Sequence, residues 1–234
     1  PTLHEYLFEH ADKWAEKPAL IDGPTGRSFT YTELRNAITA VAAGLGSRWF
    51  KKGDVFAIFS PNIPEYAFAF FGVSTAGRVT TTINPLYTAE EVKRQLVDST
   101  ASFLVTVPQF LPCALEAVQG TSVKEVFVFG EAEGATPFSA LLSEQQEADV
   151  AIDPCADLVA LPYSSGTTGL PKGVMLTHYN LVANLQQTTA VEKIKPDDTS
   201  IGILPFYHIY GMTVIMGAAL RSGATIVTMP RFDL

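Results

Sequence analysis

Short apolar runs alternate with amphipathic stretches along this chain, and that alternation restricts the fold more than any other feature. Val55 to Ser60, Phe103 to Val107, Val123 to Phe129 and Leu158 to Tyr163 are continuous enough in apolar character to read as strands buried on both faces. Helix signals lie around and between them. Leu34, Ile38, Val41, Ala42 and Leu45 share one helical face behind a Thr30 to Glu33 capping pattern, Pro64 to Ala76 reads as a helix closed by Gly77, and Thr88 to Glu91 opens another. The repetition predicts an α/β fold, a mainly parallel sheet with crossover helices packed on its faces. Residues 130–156 lack clear periodicity and read as a connecting excursion with one short helix near Phe138 to Gln145.

The Leu158 to Tyr163 strand runs into Ser164, Ser165, Gly166, Thr167, Thr168, Gly169, Leu170, Pro171, Lys172 and Gly173. Glycines let backbone N–H groups approach an anion, the hydroxyls add donors, and the Lys172 ammonium adds a mobile charge. This is the composition of a phosphate-gripping loop. Val174 to Thr177 reads as the strand leaving it and Tyr179 to Gln187 as the next helix, so the expected setting is a hairpin, without a helix dipole aimed at the anion. The Walker A pattern fails, because Pro171 stands at its second glycine position and Gly173 follows the lysine. A nucleophile elbow fails as well, since neither serine has glycine two residues before it.

Tyr163 through Thr177 resembles the phosphate-loop signature of the AMP-forming adenylating enzymes, which include acyl- and aryl-CoA synthetases, 4-coumarate CoA ligases, beetle luciferases and peptide-synthetase adenylation domains. Leu204 to Met212 resembles a second motif of that family, and Phe29 to Leu34, Asn84-Pro85 and Met229 to Phe232 carry the likeness across the chain. The resemblance implies the N-terminal part of the adenylate-forming fold. Residues 43 to 188 or so would supply one α/β subdomain, and 1 to 36 with 201 to 234 the beginnings of another, with the mobile C-terminal domain of the same parent chain lying outside. The implied reaction uses ATP and Mg2+ to convert a carboxylic acid, aromatic or fatty, to an acyl-adenylate that coenzyme A then captures.

Under that resemblance Ser164, Ser165, Gly166, Thr167, Thr168, Gly169 and Lys172 bind the ATP phosphates. Lys172 and His208 are the catalytic candidates, His208 and Tyr210 the acid-binding ones, and Arg231 a coenzyme A contact. On a strand or extended turn His208 and Tyr210 would point to the same side. The family's metal-binding motif, ribose aspartate, hinge and C-terminal lysine have no counterpart up to Leu234, so this stretch is expected to be inactive alone. A luciferase, a carrier-protein acylating enzyme and a non-catalytic nucleotide-binding module are the alternatives.

The net charge of −8 and the lack of a basic run beyond Lys51-Lys52 speak against a nucleic-acid partner. No apolar stretch reaches membrane-spanning length, and no metal site is legible. No secretory signal is visible, which points to a cytoplasmic or peroxisomal protein. Cys113 and Cys155 lack metal-ligand spacing and read as structural thiols. Charged residues make up only 17%, against about 25% in typical soluble chains; with the apolar run Met212 to Leu220, this predicts surface prone to association. His4 and His10 read as surface residues and His178 as a helix cap or loop.

Overall fold

The computed structural model of the chain describes residues 1–48, 50–142, 150–164 and 169–231. Among the described residues twelve strands form, in the order β1 (Pro18–Asp22), β2 (Ser28–Thr30), β3 (Val55–Phe59), β4 (Val79–Ile83), β5 (Ala101–Thr106), β6 (Glu125–Val128), β7 (Thr136–Pro137), β8 (Leu158–Ser164), β9 (Lys172–Gly173), β10 (Leu176–Thr177), β11 (Thr199–Gly202) and β12 (Thr225–Thr228). The helices are α1 (Leu3–Phe8), α2 (Tyr31–Gly46), α3 (Pro64–Thr75), α4 (Ala89–Asp98), α5 (Leu111–Ala117) and α6 (His178–Val191), followed by a π-helical segment Gly211–Ala218 that runs into α7 (Ala219–Arg221).

Two sheets result. The larger has the order β10-β8-β4-β3-β5-β6-β7, with β9 paired to β8; its β8-to-β7 run is parallel, and β9 and β10 pair antiparallel with β8. The smaller has the order β11-β12-β1-β2, parallel except for the β1–β2 pair. This is the mixed α/β architecture that the alternation of segments predicts.

Strand β3 shows why the layers stack as they do. Period-two geometry sends Phe56 and Ile58 to one face, where they join a core containing α2, α3, α6 and the inner residues of the small sheet, such as Leu20 and Ile226. Val55, Ala57 and Phe59 go to the other face and pack against Val92 and Leu96 of α4 and Ala114 and Ala117 of α5. With both faces covered, every residue of β3 is buried.

Local signals account for most helix ends. Thr30 and Glu33 close a capping box on α2, and Thr88 and Glu91 do the same on α4. Pro64 stands at the first turn of α3, and Gly77 beyond its end has φ +69°, a conformation that glycine adopts without steric cost.

One strand has no legible sequence pattern, and two expectations, at Met212 to Leu220 and near residue 138, change. Val79–Ile83 is a central strand although its Thr80-Thr81-Thr82 run hides the apolar pattern; the Thr81 hydroxyl spends its donor on the Leu161 carbonyl at 2.9 Å, and that of Thr82 on Tyr207 at 2.7 Å. His178, expected at a helix cap or loop, opens α6 and is fully buried, and its Nδ1 accepts the N–H of Leu3, the first residue of α1, at 3.1 Å. The Met212 to Leu220 run is core rather than sticky surface: Met212, Met216, Ala218, Ala219 and Leu220 are all buried between α6 and the small sheet. The short helix near residue 138 is a 3-10 turn, Phe138–Leu141; residues 143–149 lie outside the described residues.

Candidate functional site

The site begins at the end of β8. Antiparallel pairing sets Tyr163 opposite Gly173 and Ser164 opposite Lys172, so the expected hairpin is present. Residues directly opposite one another project from the same face of a ladder, which puts Ser164 and Lys172 on one face, both exposed. Gly169 has φ +127° in the turn. Ser165, Gly166, Thr167 and Thr168 lie outside the described residues.

The entry strand is anchored from the side. Tyr163 donates its hydroxyl to Asp98 at the end of α4 at 2.6 Å, and burial, reinforced by that carboxylate, pushes the phenol pKa upward. Its ring lies over Gly173, where a Cβ would stand 3.1 Å from Tyr163 Cζ. A larger residue at 173 would push the ring aside and loosen the pairing that carries Lys172.

Ser164 and His208 line one cavity of about 430 Å³, together with Asn84, Tyr87, Val174 and Tyr207. His208 arrives there from the far side, in the turn after β11. Its Nδ1 accepts the Tyr210 N–H at 3.2 Å, which leaves the proton of the neutral ring on Nε2. Here the extended reading of His208 to Tyr210 fails. The chain enters a helical turn at residue 209, because the Met212 N–H bonds back to the His208 carbonyl at 2.9 Å, and two residues along a helix no longer share a face. Tyr210 lines a separate shallow hollow with Gln187, Thr188, Val191, Glu192 and Val214.

Arg231 lies elsewhere again. The chain places β4 on one side of β3 and then β5 on the other, so a crevice opens at the carboxyl ends of β3 and β5, where the strand order reverses. A cavity of about 780 Å³ occupies it, lined among others by Arg27, Pro61, Gln109, Phe110, Gly130 and Arg231. Arg27 is engaged with Glu65 at 2.6 Å and with Asp22 at 3.8 Å. The wall is otherwise largely apolar but also carries Glu65, so the charge of Arg27 is matched there, and Arg231 adds a second guanidinium. Among the described residues no group of three or more His, Cys, Asp or Glu gathers that could hold a metal ion, and no helix is long and apolar enough to cross a membrane.

The family model described as AMP-binding enzyme matches residues 7–234. The chain belongs to that family. Among AMP-binding enzymes it is 43% identical over 242 residues to 4-coumarate–CoA ligase 3 of Oryza sativa subsp. japonica, covering 100% of this chain and 43% of the relative. Against 4-coumarate–CoA ligase 2 of Solanum tuberosum it is 40% identical over 238 residues, covering 99% and 44%. The chain thus spans less than half the length of these relatives. Among solved AMP-binding enzymes, a long-chain-fatty-acid-CoA ligase from Archaeoglobus fulgidus superposes with a TM-score of 0.91 at 28% identity, over 99% of this chain and 48% of that one. ATP-bound MatB from Rhodopseudomonas palustris gives 0.85 at 28% identity, over 99% and 46%.

Several side chains that shape the site gave no signal in the sequence. Asp98, Asn62 and Thr82 act from other elements, and the one local cue is that Asn62 falls between the Val55 to Ser60 strand and the helix opened by Pro64.

Proposed function

We propose that the whole protein activates a carboxylic acid with ATP and passes the acyl group to coenzyme A. The observation that carries this reading is the convergence of Ser164, paired with Lys172 across the hairpin, and His208 on one cavity. The family match and the 4-coumarate–CoA ligase relatives support it, and the acid in those relatives' names favours an aromatic substrate. In the reaction the acid carboxylate attacks the α-phosphorus of ATP, the bond to the β-phosphate oxygen breaks, and pyrophosphate leaves with its electron pair. Negative charge grows on the departing phosphates, and fixed donors aimed there lower the barrier. Ser164, Lys172 and the loop residues Ser165 to Gly169 are assigned that role.

His208, whose Nε2 carries the ring proton, is assigned to the acid carboxylate and the path of the attacking thiol. Tyr210 is assigned to the acyl group, through the hollow it shares with Val191 and Val214. Arg231 is assigned to the phosphates of coenzyme A in the crevice at the carboxyl ends of β3 and β5. The family's Mg2+ finds no protein ligand set among the described residues, and the reading gives it no step here. The test is pyrophosphate release by the whole protein with ATP and a panel of aromatic and fatty acids, followed by thioester formation on adding coenzyme A. No acid-dependent release across the panel would overturn the proposal.

A further inference from the structure

We propose that Asn62 is a positioning residue for His208, the side chain that fixes the His208 segment to the large sheet; the activity part of its test rests on the acid-ligase reading above. The segment belongs by chain order to the small sheet. It leaves β11 at Gly202 and crosses residues 203–208 without regular structure before the next helix begins. Backbone groups on such a stretch need partners wherever water is excluded. Asn62, only 5% exposed in the connection between β3 and α3, supplies three. Its Nδ2 donates to the Gly202 carbonyl at 2.8 Å and the Leu204 carbonyl at 2.8 Å, and its Oδ1 accepts the Phe206 N–H at 2.8 Å.

Both amide protons and the amide oxygen are therefore spent on one segment. The requirement for two donors and an acceptor at this reach selects an amide. A carboxylate would set its charge against two carbonyls, and an apolar side chain would leave all three backbone groups unpaired. Two neighbours complete the hold. Thr82, near the end of β4, donates to the Tyr207 carbonyl at 2.7 Å, and the buried Phe206 ring packs edge-on against Tyr66 of α3 at 5.7 Å.

These anchors come from β4, from α3 and from the connection between β3 and α3, and β4 adjoins β8, which carries Ser164. The placement of His208 relative to Ser164 is thereby set across the two sheets rather than by β11 alone. Asn62 does not line the cavity that His208 and Ser164 share, so its influence passes through His208 and the backbone that holds it.

The test uses the whole protein and compares wild type, Asn62→Ala, Asn62→Asp, Thr82→Val, His208→Ala and the Asn62→Ala/His208→Ala double variant. Expected for Asn62→Ala is a fall of about ten- to a hundredfold in acid-dependent kcat/KM, the scale of a displaced reacting group. The KM for ATP should stay within about twofold, because the phosphate hairpin is not touched. In the His208→Ala background the same substitution should cost less than about threefold, since residues acting as one unit are not additive. Asn62→Asp should lose at least as much as Asn62→Ala. Equal losses in both backgrounds, or an unchanged Asn62→Ala, would overturn the assignment.

Should Asn62→Ala fail to fold, Thr82→Val removes one bond of the same clamp and should show a smaller loss with the same split between acid and ATP; no loss there would also overturn it. Hydrogen exchange needs no activity and separates this inference from the functional reading. Protection of the Phe206 and His208 amides should drop in Asn62→Ala while that of β3 and β5 holds. Unchanged protection at those two amides would refute the clamp even if wild type released no pyrophosphate with any acid.

Discussion

Acid should destabilise this protein through His178 well before its carboxylates begin to titrate. The imidazole is fully buried at the head of α6, and Nδ1 accepts the Leu3 N–H, a bond that only an unprotonated Nδ1 can make. Burial is the main force on its pKa, pushing it from the ordinary 6.5 down to about 4; His4 and Lys52 push the same way, and Asp157 and Glu5 oppose them. The unfolded chain therefore binds the proton first. Stability rises with pH wherever the unfolded state holds more protons, so this contribution is complete above pH 6.5, falls as pH drops, and is gone below about 4. At 1.36 kcal/mol for each tenfold difference in proton affinity, the gap amounts to about 3 kcal/mol, of which about 2 kcal/mol is lost between pH 8 and 5.

The assay is urea denaturation at pH 8, 6.5 and 5, for wild type and for His178→Asn. Asparagine keeps an acceptor close to the Leu3 N–H and does not titrate in this range. His4, whose own pKa burial also lowers, remains in both chains, so the difference between them isolates His178. Wild type should lose about 2 kcal/mol more than the variant between pH 8 and 5, read as a shift of midpoint at constant slope. Equal losses in the two chains would show that the buried imidazole is not the group that senses acid, and the argument from burial would fall.

Lys172→Ala in the whole protein should slow pyrophosphate release about a hundredfold or more, as loss of a transition-state charge contact does, while leaving thioester formation from a supplied acyl-adenylate near wild type; equal loss in both half-reactions would remove it from the phosphate site. Tyr210→Ala should change the ranking of acids more than the KM for ATP, and an unchanged ranking would take Tyr210 out of acid recognition. Gly72→Ala should cost about 1–3 kcal/mol by overpacking, since a Cβ there would stand 2.6 Å from Val41 Cβ where α2 crosses α3. Urea denaturation measures it, and a neutral result would mean that the two helices can separate without loss.

The boundary between what sequence and tertiary structure decide runs along the range of the forces involved. The capping boxes at Thr30 and Thr88, the helix opened by Pro64, and the β8 strand leading into the glycine-rich loop all rest on contacts within a few residues, and those contacts are written in order along the chain. The loop residues proposed to bind phosphate are readable from their types and spacing for the same reason. His208 and Tyr210 mark where this stops. Adjacent in one motif, they line different hollows, because a helical turn formed under packing against α6 replaces the extended backbone that the apolar run suggested. That His178 is buried depends on α1 docking on α6, and whether Val79–Ile83 is a strand depends on β3 and β8 accepting it between them. Those pairings join residues far apart in sequence. The free energy that selects them comes from apolar area buried only once the layers meet, so no window of the chain contains it.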